Sequence, residues 1–182
     1  MIKALLKSES QSIWKELTYV VGGVILLLAA SKIFIPLKPV PITLQPTAVL
    51  LLALTYSSRR ALQSVLLWIG MGAAGLPVFA GWEPGLAILV GPTAGYIYSY
   101  VFIAALIPHL RERLNSQGWF FDMALCGIAT IMTFAMGVAW LSTFVGFDKA
   151  VTFGLMPFII PGIVKAGILC SALKAIRSYR TR

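Results

Sequence analysis

Long apolar runs divided by short clusters of charge organise this chain. A helix needs about 20 predominantly apolar residues to cross a bilayer core, and six runs are candidates. The first covers 17–34, with Lys32 close enough to its end to snorkel to the interface. The second, 39–58, is free of charge but holds Pro39, Pro41 and Pro46. Proline lacks a backbone donor and biases the residue before it away from helix. An extended loop is therefore predicted over 35–45, with a helix starting near Pro46. About a dozen helical residues remain, roughly 18 Å at 1.5 Å per residue, short of a full crossing. A third helix is predicted over 61–75, and a fourth over 92–108 after a Gly- and Pro-rich stretch at 75–91. A fifth covers 123–145, and a sixth covers 150–173, broken near Pro157 and Pro161. The predicted fold is an all-α integral membrane protein, a bundle of six transmembrane helices with long loops on one side.

Six crossings put both termini on the same side, and the positive-inside rule orients the bundle. Lys3, Lys7, Lys15, Arg59, Arg60, Arg111, Arg113, Lys174, Arg177, Arg180 and Arg182 fall on that side, eleven of the 15 basic residues. Both termini are predicted to be cytoplasmic, and the loops at 35–45, 75–91 and 146–149 to face outward. The segment 1–16 carries Lys3, Lys7 and Lys15 but also Glu9 and Glu16, and no A-x-A site follows the first apolar run. That run reads as a retained helix rather than a signal peptide. The expected organisation is a cytoplasmic segment at 1–16, a transmembrane domain at 17–176 and a cytoplasmic tail at 177–182.

Composition supports the membrane reading. Only 12% of residues are charged, about half the share in a soluble domain, and mean hydropathy is +0.88. The net charge of +9 sits in clusters between apolar runs. Such clusters suit anionic lipid headgroups and argue against nucleic acid. Cys126 and Cys170 lie inside apolar runs and form no C-x-x-C pair, so they read as small buried hydrophobes. His109 reads as an interface residue beside a basic loop. The six acids, Glu9, Glu16, Glu83, Glu112, Asp122 and Asp148, form no pair at helical spacing inside a span. Nothing in the sequence assembles an intramembrane catalytic set.

Irregular backbone at membrane depth survives only where protein buries it or where it lines a cavity. The stretches 35–45 and 75–91 converge on one face, each followed by a helix that starts at proline, Pro46 or Pro92. Such helix starts direct free N–H groups and a positive dipole end outward. A short helix beside interrupted segments marks a substrate site. Lys165 is the sharpest single residue, because it is a charge inside the sixth apolar run. Lys174 lies about 13 Å further along the helix at 1.5 Å per residue, too far for easy snorkelling to the inner cluster. Lys165 is therefore predicted to face a ligand carboxylate. Gln45, Thr43, Thr93 and Tyr96 are the other polar candidates, and Phe79 and Trp82 are candidate aromatic walls.

Three blocks of the chain are familiar. Ile35-Pro36-Leu37-Lys38-Pro39-Val40-Pro41-Ile42-Thr43-Leu44-Gln45 resembles the first loop of the BioY family, the biotin-specific S components of energy-coupling factor (ECF) transporters. Gly75-Leu76-Pro77-Val78-Phe79-Ala80-Gly81 and Gly91-Pro92-Thr93-Ala94-Gly95-Tyr96 resemble two further family blocks, and order, spacing and length agree. The resemblance implies an S-component-like bundle in the bacterial plasma membrane that binds biotin near its outer face. It implies docking on a transmembrane coupling subunit driven by two ATPase subunits, and no cofactor beyond the ligand. There are departures. The family's last helix commonly carries an Asp three residues before the binding Lys, and here that position is Gly162. The second Gly of the third block is Ala94, and the A-x-x-x-A pattern of the first helix is not clean. A biotin ureido N–H then needs another acceptor, for which Glu83 is the acidic candidate and Gln45 the neutral one. The chain has no G-x-x-x-x-G-K-[ST] motif, so it cannot drive uptake through a P-loop of its own. It borrows ATPases or acts as a solitary facilitator, and the same scaffold could serve another small anionic vitamin.

Overall fold

The computed structural model describes residues 2–82, 84–114 and 118–180. Eight helices and one two-stranded hairpin form among them. Helix α1, Ile2–Lys32, continues without a break across the boundary expected after residue 16. The hairpin follows, with β1 at Phe34–Ile35 paired antiparallel to β2 at Ile42–Thr43. Leu44 N donates to Ile33 O at 3.1 Å and closes it. The prolines between the strands keep the connection out of helix, as the sequence predicts. Helix α2, Gln45–Thr55, has proline in its first turn and only 11 residues.

Helix α3, Ser58–Ala73, ends at Gly75, whose φ of +90° requires glycine. There Gly75 N donates to Gly72 O at 2.9 Å and Leu76 N to Met71 O at 3.1 Å, the Schellman pattern of a helix stop. The stretch 75–91, expected to be irregular throughout, contains a short helix α4, Gly85–Val90. Helix α5, Ala94–Leu114, does not stop at Pro108 but continues past it. Ser58 Oγ donates to Ala105 O at 2.8 Å in the turn before the proline, joining α3 to α5 there. Helix α6 is Trp119–Val145. The last predicted run is two helices, α7, Phe147–Gly154, and α8, Met156–Arg180. The break falls at Leu155. Pro157 lies in the first turn of α8, where a backbone N–H has no helical partner anyway. Pro161 lies inside α8 without ending it.

Six of these helices, α1, α2, α3, α5, α6 and α8, correspond to the predicted bundle. Among the described residues three segments are long and apolar enough to cross a membrane by themselves: Ile13–Lys32, Trp119–Val145 and Phe147–Tyr179. Large apolar side chains such as Ile131, Ile160 and Ile168 stand exposed on the last two. Small residues let helices approach closely. A Cβ at Gly95 would fall 2.3 Å from Trp140 Cβ, and one at Gly137 would fall 2.2 Å from the Tyr96 ring, so α5 and α6 meet nearly backbone to side chain. Away from the hairpin, buried Asp122 pairs with Arg177 at 2.7 Å and Arg111 at 3.8 Å, tying α5, α6 and α8 together. Cys126 and Cys170 are buried with sulfurs 3.6 Å apart, consistent with packing residues.

Candidate functional site

The hairpin, the start of α2, residues 79–80, α4, α5, α6 and α8 line a cavity of about 100 Å³. Its wall is largely apolar: Val40, Leu50, Phe79, Ile88, Ile97, Ile103, Phe134 and Phe158 contribute. Tyr100, Thr130 and Thr133 add polar atoms from α5 and α6. Lys165 is the one charged side chain that lines it among the described residues.

Lys165 projects from α8 and is half-buried. Its Nζ donates to Thr43 O at 2.9 Å, so the hairpin and α8 meet at the ammonium. An ammonium has three donors, and no carboxylate pairs with this one among the described residues. Gln45 sits beside it at the start of α2, only 4% exposed. Thr43 Oγ1 donates to Gln45 Oε1 at 3.4 Å and accepts from Gln45 N at 3.3 Å. The amide oxygen therefore accepts one bond, while Nε2 is buried with no hydrogen-bond partner among the described residues. An unsatisfied buried donor costs roughly 1–3 kcal/mol, which marks Gln45 as a group awaiting an acceptor. Sequence reasoning weighed Gln45 mainly for its oxygen, whereas in the structure its nitrogen is the free atom. The α2 N-terminus adds a positive dipole end to the same wall, through Gln45, Pro46 and Thr47.

Of the other expected site residues, Thr93, Phe79 and Tyr96 also line the cavity. Tyr96 presents its ring, because its hydroxyl donates to Gly154 O at 2.9 Å. Trp82 is not among the lining residues; it is 80% exposed and its ring lies over Lys32. Glu83, the acidic candidate, lies outside the described residues. Lys32 Nζ is bonded to backbone carbonyls of the segment after α3. Gly162 lies on the cavity wall, and a Cβ there would meet nothing within 4 Å. Sequence reasoning missed the contribution of α6. Thr130, Thr133 and Phe134 recur at spacings of three and four, one face of a helix, and that was the available signal.

Bundle and cavity together define a multi-pass membrane protein with a partly open, largely apolar cavity among its helices. The chain belongs to the BioY family, whose sequence pattern matches residues 4–182. It is 39% identical over 155 residues to a probable biotin transporter of Pyrococcus horikoshii, covering 84% of this chain and 90% of the relative. It is 35% identical over 153 residues to the biotin transporter of Thermotoga maritima, covering 84% and 88%. Its fold matches the crystal structure of an S-component for biotin from an ECF-type ABC transporter with a TM-score of 0.82. That match has 24% identity and covers 92% and 93% of the two chains.

Proposed function

We propose that this chain binds biotin in the cavity and mediates its uptake as the substrate-binding component of an ECF-type importer. The observation that carries this reading is the pairing of one ammonium, Lys165, with an otherwise apolar, amide-lined cavity. Biotin offers a carboxylate, a hydrocarbon chain and a polar ureido ring. Lys165 has donors left for the carboxylate after its bond to Thr43 O. Gln45 Nε2, held beside Lys165 through Thr43, is a further donor at the carboxylate end. Glu83 and the hydroxyls at Thr93, Thr130 and Thr133 are candidate acceptors for the ureido N–H groups. Phe79 and Tyr96 pack the chain and ring.

In this reading the cavity opens to the outside of a bacterial plasma membrane and both termini are cytoplasmic. A transmembrane coupling subunit with two ATPase subunits would supply the driving force, since the chain has no P-loop motif. The test is a titration of detergent-purified protein with labelled biotin against competing vitamins. Saturable binding displaced by biotin alone supports the proposal; failure of biotin to bind refutes it. Gly162 favours a second reading, in which the scaffold serves another small anionic vitamin. That position lies on the cavity wall with open space around it, where the family commonly places an Asp. Displacement of a labelled competitor in preference to biotin would select that alternative.

A further inference from the structure

Lys32, the last residue of α1, donates from one Nζ to three backbone carbonyls: Pro77 O at 2.6 Å, Phe79 O at 3.1 Å and Gly81 O at 2.7 Å. Three donors meet three acceptors, so the ammonium is fully used. Among the described residues no backbone N–H donates to these carbonyls. They come from alternate residues, as in an extended strand, and the intervening Val78 O accepts from Trp68 Nε1 at 3.0 Å on the other side. Gly81, at φ +79°, turns the end of the segment back toward the lysine. The Trp82 ring then covers Nζ with its centroid at 4.5 Å.

This segment forms part of the cavity wall. Phe79 and Ala80 line the cavity. The Phe79 ring is 1% exposed and meets Trp68 edge-on at 4.7 Å. A segment without helix or sheet bonds of its own keeps its place through such side-chain contacts. Building on the reading of the cavity as the ligand site, we propose that Lys32 is a positioning residue of that site: by gathering the carbonyls of Pro77, Phe79 and Gly81 onto one ammonium it holds Phe79 and Ala80 against bound ligand and slows ligand release.

The test compares the full-length protein in detergent with Lys32→Met, which keeps the stem and removes the donors, and with Lys32→Arg, which restores donors. Biotin dissociation, hydrogen exchange of the 78–82 amides and thermal unfolding are measured for each. Lys32→Met should release biotin at least tenfold faster and exchange faster at 78–82, with a melting temperature near the parent's, and Lys32→Arg should recover much of both effects. Trp82→Ala, a milder change outside the cavity, should speed release about two- to fivefold, as loss of an exposed cation–π contact implies. Unchanged release in Lys32→Met overturns the proposal, even where exchange at 78–82 has accelerated. Should Lys32→Met not fold, Trp82→Ala decides, and unchanged release there overturns it. Should the parent bind no biotin, the ligand reading fails by itself. The exchange comparison then decides positioning: faster exchange at 78–82 supports it and unchanged exchange overturns it.

Discussion

Replacing Lys165 with methionine keeps length and apolarity while removing the one charge that lines the cavity among the described residues. A ligand carboxylate would then enter a mostly apolar space with no cation to meet it. Breaking a buried charge-assisted pair costs about 3–5 kcal/mol. Lys165 is only half-buried, so the lower end applies, about 3 kcal/mol or a hundredfold in affinity. The substitution also removes the bond from Nζ to Thr43 O at 2.9 Å, which anchors the hairpin to α8. The two effects separate with biotin amide, which lacks the carboxylate. Loss of the charge pair alone weakens biotin about a hundredfold and leaves the amide's affinity in the mutant close to the parent's. Displacement of the hairpin weakens both ligands alike. Competition binding with labelled biotin in detergent measures both. Unchanged biotin affinity in Lys165→Met would refute the assignment of the ammonium to the carboxylate.

Gln45→Ala should weaken biotin binding about tenfold, from the roughly 1–3 kcal/mol cost of leaving a buried ligand acceptor unpartnered; titration with labelled biotin measures it. Glu83→Ala should weaken binding more than Glu83→Gln if the acid accepts a ureido N–H, and equal affinities remove it from the site. Asp122→Asn removes the charge shared by Arg111 and Arg177 from a residue 1% exposed; it should cost about 3–5 kcal/mol of stability, read as a lowered unfolding midpoint, with biotin affinity in the folded fraction retained. Protease added to sealed right-side-out vesicles should leave the C-terminal tail intact, and cleavage from outside would reverse the topology.

Local chemistry made some elements legible and hid others. Pro39, Pro41 and Pro46 announced a non-helical stretch and the short α2, because a missing donor and a fixed φ act within a few residues, while the pairing of β1 with β2 in that stretch was not legible. Lys165 stood out because a charge in an apolar run has few cheap environments. Pro108 and Pro161 misled for the complementary reason. Their cost depends on what neighbouring helices supply, and α5 and α8 run through them. The helix at Gly85–Val90 is too short for periodicity to reveal beside Pro84 and Pro92. Lys32 had the same signal as a snorkelling residue, and only the fold brings it to carbonyls 45 to 49 residues away. The partners of Asp122 are likewise non-local, since Arg111 and Arg177 arrive from α5 and α8.

The electrostatics of the cavity narrow the ligand further than any one residue does. Lys165 and the α2 N-terminus both supply positive potential, from independent parts of the chain. No acid lines the cavity among the described residues. A cation would find two repulsive sources and no partner. A neutral ligand would leave the Lys165 ammonium dependent on Thr43 O alone. An anion answers that end of the cavity: its charge would meet Lys165, and the free Gln45 amide, held beside the ammonium through Thr43, would offer a further donor. The apolar wall to which Phe79, Tyr96 and Phe158 contribute suits the hydrocarbon part of such a ligand. Discrimination among small anions then rests on neutral hydrogen bonds, because the ammonium attracts any carboxylate while a ligand with no matching acceptor leaves the buried Gln45 amide unpaired.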